Sequence, residues 1–169
     1  MRWILFLFLA GLAVLAQTTL VRLLAVGGAR PDLVLAVLVP FCVGSGREAG
    51  FGAGCVAGLA RDLMTCEPFG LSTGVFGVLG YALARSRSGV FAEHPLTHGV
   101  LGFVCSCVSS GASVLSVLAE GGQISAWTCV RQAGVAAMAT GVLSAVVGWA
   151  MWRRARWFGL RRRVEFQDV

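Results

Sequence analysis

Five stretches of this chain carry no Asp, Glu, Lys or Arg: Leu5–Val21, Leu33–Gly46, Phe69–Ala84, Pro95–Ala119 and Gln132–Trp152. Several approach or reach the roughly 20 residues that carry an α-helix across a hydrocarbon core. A chain punctuated in this way cannot make a polar outer surface for water, so it folds in lipid. Only 13% of its 169 residues are charged, against about a quarter in soluble domains. The expected fold class is therefore all-α, a polytopic transmembrane helix bundle.

Breaks in the apolar pattern set the helix count. Trp3 to Ala16 resembles a signal peptide, but the apolar character resumes through Leu20 and Leu23 to Val26, which favours a retained spanning helix. Gly27 to Asp32 is the first break, with Pro31 suited to a first helical turn. A second stretch, Leu33–Gly46, ends at Gly44-Ser45-Gly46-Arg47-Glu48, a solvated turn, and a third runs from Ala49 to Ala60. The fourth covers Phe69–Ala84, the fifth Pro95–Ala119, and the sixth about Trp127–Trp152. The second and third reach spanning length only by taking in Arg30 to Asp32 and Arg61-Asp62. A single re-entrant hairpin over 33–60 is the competing reading of that region. Six spans are expected, with residues 1–152 as one transmembrane domain and 153–169 as a basic cytoplasmic tail.

Arginine placement orients the chain. All fourteen basic residues are arginine. With the N-terminus in the cytoplasm, Arg2, Arg47, Arg85, Arg87 and six C-terminal arginines lie inside, ten in all, while Arg22, Arg30 and Arg61 lie outside. Arg131 falls near the outer end of the sixth stretch. That asymmetry is the one expected of a correctly oriented multi-span protein, with both ends cytoplasmic. The arginines from Arg153 to Arg163 follow an apolar helix directly. They read as an anchor to anionic lipid rather than a nucleic-acid footprint.

Small residues recur at helical spacing. Gly50, Gly54 and Gly58 lie four apart, with Ala49, Ala53 and Ala57 beside them, and the fourth stretch carries Gly70, Gly74, Gly77 and Gly80. Such ridges let helices approach closely in lipid, where van der Waals packing drives association. Ala136, Thr140, Ser144 and Gly148 form a third ladder, and Ser106, Ser109, Ser110 and Ser113 supply hydroxyls to the fifth helix. Intramolecular packing is the expected use of each ridge, and a partner surface is the sharper one.

Charges at membrane depth are costly and are functional candidates by default. Here they are Arg30, Asp32, Arg47, Glu48, Arg61, Asp62 and Arg131. Asp32 is placed to face a helix N-terminus, and Asp62 to pair with Arg30 or Arg61. Structural pairing and partner recognition weigh evenly for Arg30, Asp32 and Asp62.

Catalytic patterns are missing. The chain has no phosphate-binding glycine loop, no His-Glu zinc motif and no Gly-x-Ser-x-Gly elbow. His94 and His98 are four apart but lack a third metal ligand. The six cysteines fall mostly in apolar segments, where cysteine behaves as a small hydrophobe. Cys105 and Cys107 point roughly 200° apart around a helix, and Cys66 alone is expected in a loop, on the outer side. No cofactor or metal is expected, and an enzyme is disfavoured.

Order and spacing over residues 28–85 resemble the bacterial rod shape-determining protein MreD family. The matching elements are Arg30-Pro31-Asp32 leading into the second helix, Gly50-Phe51, Gly58-Leu59-Ala60-Arg61-Asp62, and Pro68-Phe69-Gly70-Leu71. Arg61 departs from the family pattern, where apolar residues are more usual. The resemblance implies a non-enzymatic scaffold in the cytoplasmic membrane. It would bind the single-span protein MreC and link, indirectly, the actin-like MreB filament to peptidoglycan synthases. Arg30, Pro31, Asp32, Gly50, Gly54, Gly58, Asp62, Gly70 and Gly74 are then the candidate partner or helix-packing residues. The family's overall plan is also similar to the vitamin-type substrate-binding subunits of energy-coupling transporters. That alternative needs polar groups near the outer face, around Gln17, Thr18, Trp127 and Arg131. A channel is a weaker reading, lacking a selectivity motif.

Overall fold

The computed structural model describes residues 2–24, 31–65, 69–86, 94–119, 121 and 126–153. Arg30, Cys66, Pro68 and the tail from 154 onward lie outside the described residues. All regular structure among those described is α-helical: α1 (Arg2–Leu24), α2 (Leu33–Val43), α3 (Arg47–Asp62), α4 (Leu71–Arg85), α5 (Pro95–Ala119) and α6 (Ala126–Arg153).

Helix α2 is the axle of the bundle. It touches every other helix, and each residue from Val34 to Val43 is buried. An apolar sequence on all sides suits a helix surrounded by protein. Asp32 sets its start, because the Asp32 carboxylate accepts from the Leu35 N–H at 3.1 Å as an N-cap. Pro40 lies in its last turns, where a missing N–H costs a backbone bond, and the helix ends three residues later. Eleven residues rise only about 16 Å, half of a hydrocarbon core. The second apolar stretch is thus shorter as a helix than its composition implies. Pro31 and Asp32 do not extend it, because the capping aspartate fixes extended backbone at position 32; Arg30 lies outside the described residues.

The remaining helices pair around this axle. Helices α3 and α4 form one antiparallel hairpin, and α5 and α6 form another. Against α2, Phe6 of α1 stacks on Phe41 with ring centroids 4.3 Å apart. Helix α3 begins at Arg47 rather than Ala49, so Arg47 and Glu48 are exposed but helical. Helix α4 begins two residues later than expected. Phe69 is exposed in the turn, and Gly70 adopts φ +99°, a left-handed conformation favourable to glycine.

Pro95–Ala119 and Trp127–Met151 are each long and apolar enough to cross a membrane by length and composition. Large apolar side chains point outward on every long helix, among them Ile4, Phe8, Val100, Leu115, Val130 and Val142. Small residues point inward, including Ala10, Ala13, Ala53, Ala57 and Ala137. Small residues at the contacts let helices approach closely in lipid, while Phe6, Phe76 and the large side chains of α2 fill the centre of the bundle.

Candidate functional site

The seam between α3 and α4 uses the glycines that the spacing singled out. A Cβ on Gly50 would stand 2.6 Å from the Gly80 carbonyl oxygen. One on Gly54 would collide with the Phe76 carbonyl and come within 3.0 Å of Gly77 Cα. One on Gly58 would collide with the Ser72 carbonyl and lie 2.5 Å from Thr73 Cα. Backbone thus rests on backbone at all three ridge glycines, so the Gly50, Gly54 and Gly58 ridge is occupied within the chain. Gly74 is different. It lies on the exposed side of α4 with nothing within 4 Å of its Cβ position. Gly70 likewise meets nothing, and its contribution is its backbone conformation.

Asp62 closes this hairpin. It is 4% exposed and does not pair with Arg61, whose partner is Asp32; the alternative pairing with Arg30 lies outside the described residues. Its carboxylate accepts from the N–H groups of Gly70 (3.0 Å), Ser72 (3.0 Å) and Thr73 (3.1 Å) and from the Thr73 hydroxyl (2.7 Å). The N-terminus of α4 has orphan donors and a partial positive charge, and the preceding helix supplies the anion that satisfies both. The left-handed Gly70 turns its own N–H into that set. The motif from Gly58 through Asp62 to Gly70-Leu71 is therefore one device: a close seam, then a cap in trans.

Arg61, next in sequence, points elsewhere. Its Nη1 donates to Asp32 Oδ2 at 2.5 Å and to Ser109 Oγ at 2.8 Å. The guanidinium lies over the Phe76 ring, 5.3 Å from its centroid. Asp32 completes the knot by donating its N–H to the Thr140 hydroxyl at 3.0 Å. Side chains or backbone from α3, α4, α5, α6 and the start of α2 thus converge on one ion pair. Ser109 and Thr140 lie midway along α5 and α6, which puts the knot at mid-height of the longest helices. Its two charges are 18% and 11% exposed. A charge at that depth is tolerable only when paired and hydrogen-bonded, as both are here. Asp32 met its expectation as a cap. Arg61, judged from sequence as a departure, is the centre of the knot, and Ser109 and Thr140 were legible only as members of small-residue faces.

The second hairpin relies on hydroxyls. Ser144 is fully buried and donates to the His98 carbonyl at 2.9 Å. Gly102 packs on Ser144, and Gly148 on the His98 ring. The groups proposed to line a small-molecule site are not gathered. Trp127 and Arg131 are exposed on α6, Gln17 is half-buried on α1, and no hydrogen bond among the described residues joins them. The Thr18 side chain lies outside the described set. No group of three or more His, Cys, Asp or Glu among the described residues is placed to hold a metal ion.

The family model of the rod shape-determining protein MreD matches residues 1–148. No curated protein and no solved structure matches the chain.

Proposed function

The chain belongs to the MreD family of rod shape-determining membrane proteins, and on that premise we propose that it is a non-enzymatic, multi-pass scaffold of the cell-elongation complex. In this reading it sits in the bacterial cytoplasmic membrane, with residues 1–152 in the bilayer and the basic tail inside. It holds an MreC-like single-span protein, and through that protein it supports MreB and the peptidoglycan synthases.

One observation carries the proposal. Asp32, Arg61 and Asp62, the inward-facing charges of the motif region among the described residues, are all engaged within the chain, tying helices to one another. A transport or catalytic site keeps its charged groups available for a ligand. A frame spends them on rigidity, and rigidity is what a scaffold supplies to a partner. Arginine asymmetry supports six helices with both ends cytoplasmic, α2 being a short, enclosed member of the set.

Affinity purification of the tagged chain in mild detergent, with MreC co-expressed, tests the proposal. MreC should be retained through size exclusion, and depletion of the chain should turn rods into spheres. Absence of MreC together with normal rods would reject it. A stoichiometric small molecule in the extract of the same sample would favour the transporter-subunit alternative.

A further inference from the structure

The short hairpin and the long one end at different heights. At the cytoplasmic side, Phe6 near the start of α1 stacks on Phe41 near the end of α2, and the Cys42 thiol donates to the Gly50 carbonyl in the first turn of α3. Ala84, in the last turn of α4, packs on the same glycine. From that level α3 and α4 rise roughly 24 and 23 Å, whereas α5 and α6 are roughly 38 and 42 Å long. The knot fixes where the short pair stops: Asp32 on Thr140 and Arg61 on Ser109 set the end of α3 beside the middle of α5 and α6. Outward from Ser109, α5 carries no Asp, Glu, Lys or Arg up to Ala119, roughly 15 Å on, and Leu115 and Leu118 are exposed. Outward from Thr140, the first charge on α6 is Arg131, roughly 14 Å on, with Met138 exposed between them. The acyl layer around the long hairpin therefore continues past the turn that closes the short one. That turn is apolar. Leu63 and Phe69 are 72% and 71% exposed, and Met64 is exposed beside them. Arg61 and Asp62, the charges nearest to it among the described residues, both face inward, and Glu67 lies outside the described residues.

We propose that α3–α4 stops short of the outer membrane surface and that acyl chains of the outer leaflet cover its closing turn. The inference rests on the multi-pass reading and its orientation, and adds to them a lipid-binding tip. The height of the turn selects the occupant. In water, three large apolar side chains would stand exposed together on one turn, an arrangement that soluble surfaces avoid. A soluble partner would have to descend through the acyl layer to reach them. Lipid needs neither. A tilt of the short helices only lowers the turn further. The chain thus presents two hydrophobic thicknesses, and the bilayer thins beside the shorter pair.

Thiol accessibility in oriented vesicles tests this, with each site read by peptide mass. Phe69→Cys and, as a control at the outer end of α6, Trp127→Cys are treated from the outer side with a membrane-impermeant sulfonated maleimide. Trp127 is as exposed as Phe69, at 76%. In dioleoyl lipid, position 127 should react at least about tenfold faster than position 69, because the reactive thiolate does not form in hydrocarbon. In thinner dimyristoleoyl bilayers the gap should fall to about threefold or less, as the interface comes down to the turn. A diazirine carbene reagent that partitions into acyl chains should label Leu63, Met64 and Phe69 in the unaltered chain. Equal rates at 69 and 127 in dioleoyl lipid would put the turn in water and overturn the proposal. Protection from both reagents would mean that protein covers the turn, and would overturn it too, as would a gap that ignores bilayer thickness. Reaction of position 127 from the inner side alone would overturn the orientation itself, and the outer-leaflet assignment with it.

Discussion

The two hairpins solve the same packing problem with different chemistry. In α3–α4, the atoms that would meet a methyl group added to the α3 ridge are chiefly backbone, the carbonyls of Ser72, Phe76 and Gly80, with Ala84 Cβ beside Gly50; only Gly77 faces side chains alone, those of Cys55 and Phe51. In α5–α6 they are largely side chains. Gly102 faces Ser144 Cβ at 2.7 Å, Gly148 faces the His98 side chain, with Cβ at 3.0 Å, and Gly99 faces Ala145 Cβ at 3.3 Å. Length explains the difference. Helices of 16 and 15 residues offer little surface, so they gain contact by closeness. Those of 25 and 28 residues spread theirs over more turns and add a buried Ser144 hydrogen bond. A backbone cannot move aside without breaking its helix, whereas a side chain changes rotamer. The short hairpin is accordingly the brittle one and the long hairpin the adaptable one.

The knot that joins the hairpins gives the largest expected effect. Asp32→Leu strands Arg61 and removes the cap of α2, and it should cost about 4 kcal/mol in detergent thermal unfolding. Adding Arg61→Met should restore most of that loss, since an apolar pair needs no desolvation. No recovery in the double variant would mean that the pair does more than hold α2 to α3.

Within the short hairpin, Gly54→Ala should cost about 3 kcal/mol, the upper range for overpacking, because the Phe76 carbonyl has nowhere to go. Gly99→Ala in the long hairpin is the matched substitution, and it should cost under about 1 kcal/mol. Equal losses at the two sites would break the contrast. Ser144→Ala should cost about 1 kcal/mol, as membrane-buried hydroxyl bonds contribute modestly. The smallest effect belongs to Gly74→Ala, which faces outward on a helix. It should stabilise the chain by about 0.5 kcal/mol through helix propensity and lower backbone entropy of the unfolded chain. A loss there would show Gly74 to be packed within the chain.

Much of this was legible before any coordinates. Charge-free stretches located α1, α5 and α6, and glycine spacing marked the contact face of α3. Asp32 read correctly as a helix-starting residue. The limits of local pattern appear at Arg61 and Asp62. Neighbours on a helix project about 100° apart, so two adjacent charges serve two different interfaces, and adjacency itself suggests a pair that never forms. Gly74 shows the same limit. It keeps the ridge spacing of its neighbours and yet faces away from the seam.

The sequence by itself determined that the chain is helical, that it belongs in a bilayer, and that its middle segment carries an MreD-like motif. Those conclusions follow from one-dimensional quantities: run length, charge placement and residue order. Only the tertiary structure decided that α2 is a short enclosed axle, that Asp62 caps α4, and that Arg61 joins Asp32 and Ser109. A buried charge is satisfied by whichever donors and acceptors the fold brings within about 3 Å. Here those lie 29 and 48 residues away along the chain, where no periodicity reaches.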